Sequence, residues 1–215
     1  MLLIKKQKMN LSKIYYITQP VAEMSYAQQV EQVCKGGVRL IQLRIKGVSD
    51  NEYLAVAKEV KCVADRYNAT LIVNDNIEVA CAAKVSGVHV GLNDALPLEA
   101  RKRLLPGMLL GGTANTFERI SEIYLYVDYI GLGPFRFTTT KQNLSPILGI
   151  EGYRQIMRQM REAGMSKPVF AIGGIEHVDI PLIMETGVYG IALSSTIAKS
   201  ECISEAAEKL VVSYV

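Results

Sequence analysis

Six stretches of this 215-residue chain concentrate side chains that could hold anions or a divalent metal. In Gln42-Leu43-Arg44-Ile45-Lys46 polar and apolar positions alternate, so an extended backbone puts Gln42, Arg44 and Lys46 on one face. An arginine fork and a lysine point charge beside an amide suit a multiply charged anion. The plainer use of the same residues is an exposed strand end paired to nearby carboxylates. Asn74-Asp75 and Asn93-Asp94 each follow a short apolar run. Neighbouring strands lie roughly 5 Å apart, so carboxylates at adjacent strand ends can share one cation. Two carboxylates, with the other positions left to water and phosphate oxygens, form a magnesium pattern. Each Asp taken alone is as well explained as a helix N-cap.

The stretch Gly133-Pro134-Phe135-Arg136-Phe137-Thr138-Thr139-Thr140-Lys141 opens a connection running to about Gly149, long for a loop between a strand and a helix. Its three hydroxyls and one lysine could close over an anion, as lids do; otherwise it is a surface loop with incidental threonines. Gly173-Gly174 and Ser194-Ser195 follow the last two apolar runs. Backbone N–H groups of such loops cup phosphate, and glycine allows the phosphate to approach the main chain. A tight turn and a helix cap are the alternative. Together these stretches imply two anion sites, as in an enzyme that joins or cleaves two phosphorylated pieces.

Those residues need a frame that brings strand ends together. Short runs rich in Val, Ile and Leu predict strands over 13–18, 38–43, 70–73, 87–90, 108–111, 129–132, 168–172 and 189–193. Amphipathic stretches predict helices over 22–35, 50–67, 77–84, 97–104, 117–123, 152–163, 178–186 and 204–212, with Asp50 as an N-cap. Eight strand–helix units predict a parallel sheet, and eight strands close a (β/α)8 TIM barrel, whose chemistry sits at the C-terminal strand ends. An open doubly wound sheet would show a glycine fingerprint after the first strand, where this chain has Gln19-Pro20. Residues 1–12 read as an N-terminal extension, with Met9 an alternative start, and 13–215 as one barrel domain.

Composition narrows the function. Hydrophobic residues at 49% give enough material for a core. A net charge of +3, with no basic run interleaved with aromatics, argues against nucleic acid and leaves small anions as partners. No apolar stretch reads as a signal peptide or a membrane span. Cys34, Cys62, Cys81 and Cys202 form no CxxC and read as reduced thiols of a cytoplasmic protein. A homo-oligomer is an open option.

Taken together, QLRIK at Gln42–Lys46, VNDN at Val73–Asn76, GVHVGLND at Gly87–Asp94, GLGPFRFTTTK at Gly131–Lys141 and AIGGI at Ala171–Ile175 resemble the thiamine phosphate synthase family, from about Tyr15 to Ile197. That family condenses hydroxymethylpyrimidine pyrophosphate with a thiazole phosphate and releases pyrophosphate. The resemblance implies that Gln42, Arg44, Lys46 and Asn74 line the pyrimidine pyrophosphate site and that Asp75 and Asp94 bind Mg2+. It further implies that Thr138 and Thr140 contact the thiazole phosphate side and Lys141 the departing pyrophosphate. Gly174, Ser194 and Ser195 would cup the thiazole phosphate. Arg44, Lys46, Thr113 and Lys141 would be the catalytic groups, Thr113 standing where the family commonly has Ser. Two other departures are Asn115, where relatives often carry His, and Arg136, where the family usually has Phe. His89, inside a strand, reads as a hydrogen-bonded core residue.

Three rivals use the same barrel. A thiazole tautomerase would lose the pyrimidine and metal residues and carry a His at position 115. A Schiff-base aldolase would sink Lys46 or Lys141 among apolar neighbours. A non-catalytic ligand-binding homologue would bind without releasing pyrophosphate.

Overall fold

The computed structural model describes residues 11–92, 94–137 and 146–214. Its strands are β1 (Ile14–Ile17), β2 (Leu40–Leu43), β3 (Thr70–Asn74), β4 (Gly87–Val90), β5 (Leu109–Ala114), β6 (Tyr129–Leu132), β7 (Val169–Ile172) and β8 (Gly190–Leu193). All pair in parallel with their sequence neighbours, and β8 returns to β1 with Tyr15 opposite Ala192, which closes the barrel. The helices are α1 (Tyr26–Lys35), α2 (Asp50–Arg66), α3 (Ile77–Ala83), α4 (Pro97–Arg103), α5 (Phe117–Ile123), α6 (Gly149–Glu162), α7 (Ile180–Glu185), α8 (Ser195–Ala198) and α9 (Ile203–Tyr214). The (β/α)8 barrel expected from the strand–helix rhythm is therefore the fold.

Several boundaries differ from the sequence reading for local reasons. Helix α1 starts at Tyr26, not at residue 22, because Ser25 caps it and Gln28 reaches back to the cap in a reciprocal box. Ser49 with Glu52 does the same for α2, so Asp50 is its first helical residue and not its cap. The stretch over 178–186 divides into a 3-10 turn, His177–Asp179, and α7. The short α8 lies directly after β8, where no helix was predicted. Strand β5 runs on to Ala114, which puts Thr113 inside the strand and not after it.

Alternation along the strands divides the core in two. Ile14, Tyr16, Ile41 and Leu43 face the helices, whereas Tyr15, Ile17, Leu40, Ile72, Tyr129, Phe170 and Ala192 fill the barrel interior. Leu11, just ahead of β1, joins the interior set. Three of the interior rings meet edge to face: Tyr15 with Phe170 at 5.4 Å, Tyr129 with Phe170 at 5.7 Å, and Tyr15 with Tyr129 at 5.8 Å between centroids. Such bulk needs vacated space nearby. A Cβ on Gly111 would overlap the Tyr129 ring and His89, and one on Gly131 would lie 3.0 Å from the His89 ring.

Outside the barrel, two helix tyrosines tie strand ends at the same rim. Tyr53 of α2 donates to the Leu43 carbonyl at 2.7 Å and accepts from the Asn74 N–H at 3.3 Å, joining β2 to β3. Tyr153 of α6 donates to the Leu132 carbonyl and accepts from the Ile172 N–H at 3.3 Å, joining β6 to β7.

Gly111→Ala is expected to lower stability by about 2 kcal/mol or more, because its methyl meets rings that cannot retreat. Denaturant unfolding measures this, and an unchanged midpoint would refute the packing account.

Candidate active site

The C-terminal strand ends surround one cavity of about 1210 Å³. Its walls include Gln42, Arg44, Lys46, Asn74, Asp75, Asp94, Thr113, Gly174, Ser194 and Ser195. Those are all the site residues expected from sequence that fall among the described residues. The expectations for Thr138, Thr140 and Lys141 lie outside them.

On the β2–β4 side the acids converge. Asp75 follows β3 at a backbone φ of 64°, a left-handed conformation that Asp tolerates better than most residues, and its N–H donates to the His89 carbonyl at 2.8 Å. Its carboxylate pairs with the Lys46 ammonium. Asp94 reaches back to the Gly91 N–H at 2.7 Å, and the two carboxyl groups are hydrogen-bonded to each other. Burial pushes both acids up. For Asp75 the bonds from Asp94 and Lys46 outweigh burial and hold it below the ordinary carboxylate range. For Asp94 the bond to Asp75 and the repulsion from it add to burial and hold it above. Contact with each other and with Lys46 thus drives the two acids in opposite directions.

Neither acid caps a helix. Asn76 caps α3, accepting from the Val79 N–H at 2.9 Å, and α4 has Leu96 at its cap position with no side-chain cap bond. The alternative explanation for Asp75 and Asp94 therefore fails. Facing carboxylates, one of them paired with an ammonium, fit a hard divalent cation, which would supply the positive charge that Lys46 now provides. Among the described residues no group of three or more acid, His or Cys side chains gathers for a metal, so such an ion would draw its other ligands from water and substrate oxygens. Lys46 is 56% exposed in its side chain and paired with Asp75, unlike a Schiff-base lysine buried among apolar groups.

The floor of the cavity is a buried polar chain that the sequence reading missed. Gln42 Nε2 donates to the Tyr15 hydroxyl at 2.7 Å, and that hydroxyl shares a 2.8 Å bond with Tyr129. Tyr129 lies 3.3 Å from His89 Nδ1, and His89 Nε2 lies 3.0 Å from the Thr113 hydroxyl. His89 is a hydrogen-bonded buried residue, as expected, yet it also lines the cavity. Burial drives the Tyr15 and Tyr129 hydroxyls far above their usual range, so they stay protonated and serve only as fixed dipoles. The signal available in sequence was position: Tyr15, Gln42, His89, Thr113 and Tyr129 all occupy inward slots, but only a known register shows that five strands bring them together.

On the β7–β8 side, Gly173 and Gly174 turn at φ 97° and 66°. A Cβ on Gly174 would lie 2.9 Å from the Phe137 carbonyl and 3.0 Å from Arg136, so glycine is needed there for the neighbouring chain to pack, a reason beyond close approach of a phosphate. Ser195 and Ser194 donate to Gln19 Oε1 at 3.0 and 3.3 Å. Ser194 sits at the cap position of α8 but makes no side-chain cap bond. Gln19 is in turn held by the fully buried Gln29 of α1, whose Nε2 donates to the Gln19 carbonyl at 2.9 Å. Gln19 and Gln29 were not foreseen; Gln19-Pro20 was read only as the absence of a glycine fingerprint.

Known proteins carry the same arrangement of segments. A family model described as thiamine monophosphate synthase matches residues 14–197. A protein of Bacteroides fragilis named thiamine-phosphate synthase is 48% identical over 87% of this chain and 92% of its own. One of Bacteroides thetaiotaomicron with the same name is 46% identical over 87% and 90%. The solved structure of thiamine phosphate pyrophosphorylase from Pyrococcus furiosus superposes with a TM-score of 0.81 at 28% identity, covering 94% of this chain and 96% of that one. With a match of this extent to the model and to relatives over most of their length, the chain belongs to the thiamine monophosphate synthase family.

Proposed function

We propose that the chain joins hydroxymethylpyrimidine pyrophosphate to a thiazole phosphate, releasing thiamine phosphate and pyrophosphate, with Mg2+ as cofactor. The reaction class itself, a transferase step of thiamine biosynthesis, follows from the relatives, which favour it over tautomerisation or binding alone. No helix among the described residues is long and apolar enough to cross a membrane. The observation that carries the finer reading is the pairing of two unlike anion sites in one cavity. Carboxylates and cations face it from β2–β4, and a Gly-Gly turn with two serines faces it from β7–β8.

The bond to break joins the pyrimidine CH2 to a pyrophosphate oxygen, and its electron pair leaves with pyrophosphate. The aminopyrimidine ring stabilises the cation left behind, and the thiazole nitrogen donates the pair that forms the new C–N bond. No protein nucleophile takes part. Arg44 and Lys46 would neutralise the departing charge, joined by Lys141 on the strength of the resemblance. Asp75 and Asp94 would hold Mg2+, which supplies further positive charge to the pyrophosphate oxygens. Gln42, held by Tyr15, would meet the pyrimidine with an amide of fixed orientation, and Thr113, held by His89, would offer its hydroxyl from the same floor.

The direct test mixes purified protein with both substrates, with and without magnesium. Thiamine phosphate and pyrophosphate should appear together and only with the metal. Isomerisation of the thiazole alone would indicate a tautomerase, and affinity without pyrophosphate release would indicate a binding protein.

Asp75→Asn and Asp94→Asn are each expected to cut turnover by about 100-fold or more while the melting temperature is kept, asparagine tolerating the left-handed backbone at position 75. A variant with normal turnover would remove the metal assignment. Tyr15→Phe should raise KM for the pyrimidine pyrophosphate about fivefold, the loss of about 1 kcal/mol expected for one hydrogen bond, and leave KM for the thiazole phosphate unchanged. An equal rise for both substrates would count against Tyr15 as the residue orienting Gln42.

A further inference from the structure

Arg136 stands at the root of the β6–α6 connection and on the cavity wall. Its guanidinium grips Asp179 with two prongs, Nη1 to Oδ2 at 2.9 Å and Nη2 to Oδ1 at 2.7 Å. The same Nη1 donates to the Gly174 carbonyl at 3.0 Å, and Glu176 lies 3.7 Å away. Asp179 is fixed in turn, because its Oδ2 also accepts the Glu176 N–H at 2.8 Å. The main chain follows the same course: the Phe135 N–H donates to the Ile172 carbonyl at 2.9 Å and the Arg136 N–H to the Gly173 carbonyl at 3.0 Å.

These contacts converge on two glycines with no side chains of their own to hold them. Both have positive φ, and a Gly-Gly turn is the most conformationally free dipeptide a chain can contain. A peptide group is planar, so its carbonyl and the next N–H point in opposite directions. Holding the Gly174 carbonyl on the guanidinium leaves the Ile175 N–H directed away from Arg136. Charge accounting points the same way. One guanidinium faces the Asp179 carboxylate at bonding distance and a second carboxylate close by, so little of its charge is left for a ligand.

We infer that Arg136 is a positioning residue: through Asp179 and the Gly174 carbonyl it braces the Gly173-Gly174 turn that cups the phosphate, and it does not itself grip that phosphate. The inference rests on the reading that this cup receives the thiazole phosphate. It gives the residue at which this chain departs from the family's usual Phe a definite task. A planar two-pronged donor holds a carboxylate and a carbonyl together in a way that neither Phe nor a lysine can.

The experiment compares wild type with Arg136→Ala, Asp179→Asn and the double variant, by steady-state kinetics for each substrate. Each single substitution should raise KM for the thiazole phosphate about tenfold, the loss expected for a charge-assisted bond, and change KM for the pyrimidine pyrophosphate less than about twofold. The double variant should be no worse than either single one, since the pair acts as a unit. If Arg136 gripped the phosphate directly, Asp179→Asn would release the guanidinium and lower KM while Arg136→Ala raised it; opposite signs would overturn the brace. Equal rises for both substrates, or no rise, would overturn it too. Should Arg136→Ala fail to fold, Asp179→Asn carries the same sign test. Calorimetric titration with inorganic phosphate in magnesium-free buffer separates this proposal from the assigned reaction. If the wild type makes no thiamine phosphate, the reading of the reaction fails, yet the brace still requires both variants to bind phosphate more weakly, and unchanged affinity would end it.

Discussion

Closing eight short parallel strands into a barrel leaves one interior that every second residue must either fill or vacate. Here Tyr15, Tyr129 and Phe170 fill it, and Gly111 and Gly131 make the room they and His89 require. Because two of the three rings carry hydroxyls, the packing core is also the hydrogen-bonding support of the cavity floor. Buried polar groups of this kind are costly unless satisfied, and these are satisfied by one another from Gln42 to Thr113. A residue that packs the core therefore also sets which way a cavity-facing amide and hydroxyl point.

Above that floor, on the proposed function, the two walls would handle negative charge by different means. The β2–β4 wall offers full charges: the carboxylates of Asp75 and Asp94 lie against each other, Lys46 pairs with Asp75, and Arg44 faces the same cavity. The opposite wall uses backbone dipoles and hydroxyls, presented by a glycine turn and a serine pair held in place by Gln19 and Arg136. Backbone donors hold a ligand that must stay, whereas cations and a metal best serve a group that must leave with added negative charge. That division matches a reaction with one phosphate retained in the product and one pyrophosphate expelled.

The supports of both walls come from elements remote in sequence. Gln29 of α1 reaches the β8 serines through Gln19, and Tyr53 and Tyr153 tie strand ends from the helices that follow β2 and β6. Each hydrogen bond is of modest net value, but each side chain makes more than one and so fixes two segments against each other. Placement of reacting groups to a fraction of an ångström depends on such supports more than on the walls themselves.

The sequence alone determined the fold class, since eight apolar runs alternating with amphipathic stretches admit few closed arrangements. It also pointed to ten residues of the cavity wall, from Gln42 to Ser195, because polar side chains at strand ends break an otherwise apolar pattern and stand out, but not to Gln19 or His89. The contact between Asp75 and Asp94, and the absence of a helix-capping bond from either, depended on the left-handed backbone at Asp75 and on the bond from the Gly91 N–H to Asp94, which no local pattern announces. The chain from Gln42 through Tyr15, Tyr129 and His89 to Thr113 was decided by tertiary structure alone, as was the grip of Arg136 on Asp179 and Gly174. In each case the partners are far apart in sequence and apolar or ordinary by type. What joins them is the register of a closed sheet, a long-range quantity that the periodicity of single segments does not contain.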